Sequence, residues 1–146
     1  MFARREVAVD FVRHYVPTAV AEQLDLSTLE TVKDTFVDEE LRDHFTDLLY
    51  HVRLHDGTLA YVYLLFEHKT YGEPWIAFQL LRYMVRIWEH RLAQAQFEML
   101  PPIVPLVVYH GQQRWQVDRR FGALVGATAS RMAFADYVPD FHYELC

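Results

Sequence analysis

The stretch from Phe45 to Lys69, FTDLLYHVRLHDGTLAYVYLLFEHK, most constrains what this chain can fold into. Thr46, Leu48, Tyr50, Val52 and Leu54 fall on one face, and Asp47, Leu49, His51 and Arg53 on the other, the period of two of a half-buried strand. Leu59–Glu67 is apolar on both faces, which suits a central strand. Between them lies His55-Asp56-Gly57-Thr58, and the loop length decides which side chains share a face. A two-residue Asp56-Gly57 turn would set Asp47 opposite Phe66 and put Asp47 and Glu67 on different faces. A three-residue loop His55-Asp56-Gly57, with Gly57 left-handed at a bulge, pairs Leu54 with Thr58 and Asp47 with Leu65. Glu67 then lies diagonally across from Asp47 on one face, so a shared acidic site requires the odd-length loop.

The rest of the chain supplies layers around this hairpin. Val7, Ala8, Phe11, Val12 and Tyr15 have helical spacing, which predicts a helix over 5–16 ended by Pro17. A short strand is expected around Leu29–Lys33, followed by an acidic loop or single helical turn over Asp34–His44. Gly72-Glu73-Pro74 opens a long helix, 75–98, with Ile76, Leu80, Met84, Ile87 and Leu92 on its apolar side and Pro101-Pro102 beyond its end. Ile103–Tyr109 is a continuous apolar strand, and strand, long helix, strand makes a crossover onto a parallel neighbour. The expected fold class is α/β: a mixed β-sheet, antiparallel hairpin plus parallel crossover strand, flanked by helices. Residues 112–146 carry weaker signals: a polar connection over Trp115–Arg120, a helix over Phe121–Phe134 despite Gly122 and Gly126, and a strand within Asp140–Leu145. The chain reads as one domain over 1–146 and as a fragment of a longer protein.

Composition narrows the function classes. At 146 residues and 52% hydrophobic, the chain can enclose a core. A formal charge of −6 argues against a general nucleic-acid coat, which basic patches normally supply. The only cysteine, Cys146, excludes an internal disulfide framework and fits a reducing compartment; no apolar run can span a bilayer, so a cytoplasmic location and no membrane partner are expected. His44, His51, His55 and His68 cluster around the hairpin, but without the spacing of a zinc site.

Asp47 at one strand start and Glu67-His68-Lys69 at the next strand's end place two carboxylates and an ammonium near one another. Carboxylate oxygens with water suit Mg²⁺, and a lysine beside the metal can orient or deprotonate an attacking water. The His68 backbone carbonyl is a further candidate ligand. On the long helix Gln79 and Tyr83 stand four apart, with Arg82 and Arg86 alongside as phosphate donors. From spacing alone, solvated strand-end charges and an ordinary helix surface are the better reading of these residues.

At these residues the chain resembles the PD-(D/E)XK nuclease superfamily, and within it the bacterial recombination-promoting nuclease, or putative transposase, family. The phrases that carry the resemblance are LDLSTLETVKDTFVDEELRDHFTDLLYHVRL, YVYLLFEHK, AFQLLRYMVRIWEH and LPPIVPLVVYHG, together about residues 24 to 111. The resemblance implies a restriction-endonuclease-like core and Mg²⁺-dependent hydrolysis of DNA phosphodiester bonds, with Mn²⁺ as a substitute. It implies Asp47 and Glu67 as metal ligands, Lys69 as the catalytic lysine, and Gln79 with Tyr83 as a pair similar to the glutamine and tyrosine motif of RecB-like nucleases. Many family members carry glutamine where this chain has Lys69. A His-Asp and Phe-Lys phrase common before the first helix is missing here. That gap and the acidic charge motivate an alternative, a catalytically inactive nuclease-fold module that binds DNA or a protein partner. The aromatic surface of the helix from Trp75 to Leu92 is a candidate homodimer interface.

Overall fold

A strand apolar on both faces is stable only between two covering layers, and Leu59–Glu67 has them. The computed structural model describes residues 5–32, 45–67, 73–94, 99–126 and 131–146. In it, α1 (Arg5–Tyr15) and the short α2 (Thr18–Ala21) precede β1 (Leu24–Val32), β2 (Phe45–Leu54) and β3 (Leu59–Glu67). The long α3 (Ile76–Gln94) leads to β4 (Ile103–Tyr109); a 3₁₀ turn (Phe121–Leu124), a helical turn α4 (Arg131–Phe134) and β5 (Glu144–Leu145) follow. The sheet order is β1-β2-β3-β4-β5, with antiparallel pairs on the β1 side of β3 and parallel pairs on the β4 side. This is the mixed, helix-flanked α/β sheet expected from the sequence.

Each face of β3 feeds a different core. Tyr61, Tyr63 and Leu65 pack with Leu49 of β2, Ile103 and Val107 of β4, and Ile76, Ala77, Leu80, Tyr83, Met84 and Ile87 of α3. Those α3 positions recur at helical spacing, so one stripe of the helix faces the sheet. Ala60, Val62 and Leu64 point the other way and pack with Tyr50, Val52, Leu106, Val108 and the α1 residues Ala8 and Val12. Among the described residues no helix is long and apolar enough to cross a membrane.

The hairpin has the odd loop. Leu54 N donates to Thr58 O at 2.7 Å, Gly57 N donates to Leu54 O at 2.9 Å, and Gly57 has φ 90°. Thr58 N donates to Asp56 Oδ1 at 2.9 Å, and hydrogen bonds from Thr58 hold the Asp56 carboxyl below its ordinary range. Asp47 consequently pairs with Leu65, and Phe45 with Glu67.

Three details depart from the sequence reading. β1 begins at Leu24, earlier than Leu29, because its register slips between Asp25 and Glu30 and a polar bulge interrupts the alternation. There Thr28 Oγ1 accepts Arg53 N at 2.8 Å and donates to Asp25 O at 2.7 Å, while Ser27 Oγ donates to Asp25 Oδ1 at 2.6 Å. The helix expected over Phe121–Phe134 is broken after the 3₁₀ turn, where Val125 is extended with φ −91° and ψ 131°, and α4 covers only Arg131–Phe134; at the start of the turn Phe121 N reaches Phe141 O at 2.8 Å and Gly122 N reaches Asp140 Oδ1 at 2.9 Å. The long helix starts at Ile76, one residue after Trp75, whose N–H meets Glu73 Oε1 at 3.4 Å. The expected acidic loop over Asp34–His44 lies outside the described residues, as do 95–98, the last turn expected of the helix.

A Cβ at Gly57 would meet open space, so Gly57→Ala tests the left-handed backbone alone. It is expected to lower unfolding free energy by roughly 1–2 kcal/mol, and Gly57→Asn by less, read from denaturant midpoints.

Candidate active site

The site forms where β2 begins and β3 ends, on the face covered by α3. Because Asp47 is opposite Leu65 and Glu67 opposite Phe45, the two carboxylates stand diagonally across the strand pair on one face. Glu67 is fully buried, and its backbone carbonyl accepts His110 N from the end of β4 at 3.1 Å. A carboxylate withdrawn from water is costly unless cations or donors offset it.

Asp47 is held in place from the core. Tyr63 Oη donates to Asp47 Oδ2 at 3.0 Å, and Tyr63 is itself fully buried. The Tyr63 ring lies 5.9 Å from that of Tyr83, tilted by 55°, and Tyr83 Oη donates to Gln79 Oε1 at 3.5 Å. A continuous line of contacts thus runs from Asp47 through two buried tyrosines to Gln79 on α3. Burial first, then the adjacent Asp47 carboxylate, raises the Tyr63 pKa far above that of an ordinary phenol. The hydroxyl therefore stays protonated and remains a donor wherever Asp47 is ionised.

The structure brings Asp47, Glu67, Gln79 and Tyr83 to this one face. Arg82 and Arg86 are exposed on α3, Arg86 on the same side as Gln79, seven residues away. His68 and Lys69 lie outside the described residues. Tyr63 is a site residue that the sequence reading missed, although the pairing of Asp47 with Leu65 already places it at the other diagonal from Asp47.

Other candidates resolve into packing. His51 shares the Asp47 face but hydrogen-bonds Glu30 at 3.1 Å. Among the described residues no three His, Cys, Asp or Glu side chains form a group that could hold a metal, and His44 and His68 lie outside the described residues. A Cβ at Gly111 would collide with the Tyr109 ring, so close approach explains that glycine. Trp115 packs edge-on against Tyr109 at 4.8 Å and donates to Tyr143 Oη at 3.1 Å, and Trp88 donates to Pro101 O at 2.7 Å.

A helix-flanked mixed sheet with two acids at the ends of adjacent strands is the class of protein defined so far. Comparison with known proteins is more specific. The family model described as "Putative transposase, YhgA-like" matches residues 1–146, and the chain belongs to that family. Recombination-promoting nuclease RpnA of Escherichia coli (strain K12) is 33% identical over 112 residues, covering 76% of this chain and 38% of that protein. Recombination-promoting nuclease RpnC of the same strain is 34% identical over 107 residues, covering 73% and 35% respectively. Inactive recombination-promoting nuclease-like protein RpnE, also from that strain, is 32% identical over 107 residues, with the same coverages, 73% and 35%. The chain spans less than two fifths of the length of these relatives. No solved structure gives a significant match.

The Tyr63 pKa predicts an alkaline limit to stability. Unfolded tyrosine ionises near pH 10 while folded Tyr63 does not, so the unfolded state binds fewer protons above that pH and stability falls as pH rises. Below about pH 10 the contribution is intact; above it, each such tyrosine costs about 1.4 kcal/mol per pH unit. Burial likewise raises Tyr50, Tyr61 and Tyr143, the last to about 12. Unfolding measured from pH 9 to 11 should steepen accordingly, and Tyr63→Phe should remove one tyrosine's share of the slope.

Proposed function

We propose that this chain is the nuclease domain of a Mg²⁺-dependent DNA endonuclease acting in recombination or transposition. The observation that carries the reading is the diagonal placement of Asp47 and Glu67 on one face, with Asp47 fixed by the buried Tyr63 hydroxyl. The donor set suits the ion: magnesium is usually bound by one or two carboxylates, keeping several waters and substrate phosphate oxygens. When bound, Mg²⁺ supplies Lewis acidity toward a phosphoryl oxygen and a more acidic water. Asp47 and Glu67 would hold the ion, with the His68 carbonyl as a further ligand, and Mn²⁺ would substitute.

The chain's own groups do the remaining work. Tyr63 keeps the Asp47 carboxylate oriented and, staying neutral, adds no charge to the site. Lys69 orients or deprotonates the attacking water and offsets charge growing on the phosphate. Gln79, presented by Tyr83, and Arg86 donate to the DNA backbone from α3, while Arg82 stands one turn from each. Names of the nuclease relatives support this reading.

A second reading keeps the fold for binding DNA or a protein partner without hydrolysis. Its support is a relative named inactive, RpnE, and the formal charge of −6.

Plasmid nicking with Mg²⁺ or Mn²⁺ against EDTA separates the two. The parent should cut only with metal, and Asp47→Asn, Glu67→Gln and Lys69→Ala should abolish cutting while far-UV circular dichroism stays unchanged. Tyr63→Phe, which loses only the hydroxyl behind a ligand, should weaken metal binding or activity about 10- to 100-fold. Cutting that persists in EDTA or in both acid variants would refute the nuclease assignment, and DNA binding without cutting, by the folded parent and equally by a chain extended to the length of the relatives, would establish the second reading.

A further inference from the structure

The side of α3 away from the sheet is unusually apolar. Ile76, Leu80, Tyr83 and Ile87 are buried toward β3, whereas Trp75, Phe78, Val85 and Leu92 are 56%, 48%, 40% and 50% exposed. Phe78, Arg82, Val85, Glu89 and Leu92 recur at alternating spacings of four and three, forming one stripe along the outside of α3, with Trp75 immediately before its first residue. Singly exposed apolar residues need no explanation, but several aligned on one side of a helix, with Arg82 and Glu89 set between them, mark an interaction surface.

The charges in the stripe identify its occupant. Arg82 lies three residues before Val85 and Glu89 four after it, while Phe78 and Leu92 are each seven residues away. We propose that α3 packs antiparallel against α3 of a second copy of this chain, about a two-fold axis passing close to Val85. Such an interface is isologous: each contact occurs twice, with the partners exchanged. Phe78 then meets the partner's Leu92, Val85 meets its own equivalent at the axis, and Arg82 comes within reach of the partner's Glu89. The stripe contains both its cation and its anion at near-equal distances from one apolar centre, so it complements itself. A parallel arrangement would instead place Arg82 against Arg82 and Glu89 against Glu89, which like-charge repulsion disfavours.

This pairing goes beyond the hydrolytic reading and stands or falls without it, because its readout is mass. Light scattering or sedimentation of the 146-residue chain between about 1 and 100 μM should show the 17.3 kDa species giving way to one of twice that mass. Val85→Arg puts two cations at the axis and should shift the midpoint at least tenfold upward. At concentrations where the parent is monomeric, this variant should melt at the parent's temperature, since Val85 is exposed. Arg82→Glu should weaken association, and adding Glu89→Arg should restore it, a rescue that only the antiparallel arrangement allows. A chain monomeric throughout the range, association indifferent to Val85→Arg, or a charge swap without rescue would each overturn the proposal.

Discussion

The hydrogen bond from the Leu54 amide to the Thr58 carbonyl closes a loop of odd length, and every face assignment between β2 and β3 follows from that parity. Side chains in a sheet alternate with a period of two, so a register one residue different would have sent Asp47 to the α1 side and left Glu67 on the α3 side. It would also have driven Leu48, Tyr50 and Val52 out of the core they share with α1. The same few atoms at Gly57 therefore maintain both the packing of two layers and the meeting of two acids. Selection for a well-packed sheet is at once selection for the site's geometry.

Burial links the site to the core more closely than strand ends usually allow. Tyr63 belongs to the α3-side core through its ring and to the site through its hydroxyl. Asp47 is thus anchored by a side chain whose position is set by Leu80, Tyr83 and the rest of that layer rather than by surface loops. A carboxylate held in this way is already oriented, so under the proposed nuclease reading little reorganisation would be needed for it to hold a cation.

Much of this arrangement was legible in the sequence because its signals are local. The alternation in Thr46–Leu54, the two-sided apolar run of Leu59–Glu67, the Gly57 turn and the Pro74 start of α3 each depend on neighbours within a few residues. What escaped depends on distant contacts. The bulge in β1 is held by an amide from Arg53, and the turn at Phe121–Leu124 is held by Asp140 and Phe141, none of them near in sequence. Tyr63 was passed over for a related reason. Within a run of apolar residues a tyrosine reads as core, and only the register shows that its hydroxyl meets a carboxylate.

The central position of β3 has a kinetic side as well. Its backbone hydrogen bonds are shared with β2 and β4, and both its faces are sealed, one by the α1 layer and one by the α3 layer. Fraying at α4, at β5 or at the outer edge of β1 leaves those bonds intact, so amide protons along β3 can exchange with solvent only when the whole domain opens. Glu67 is carried at the end of the segment that is last to come apart. Partial openings that loosen the periphery will therefore leave this carboxylate in place, and its loss of position will coincide with loss of the fold itself.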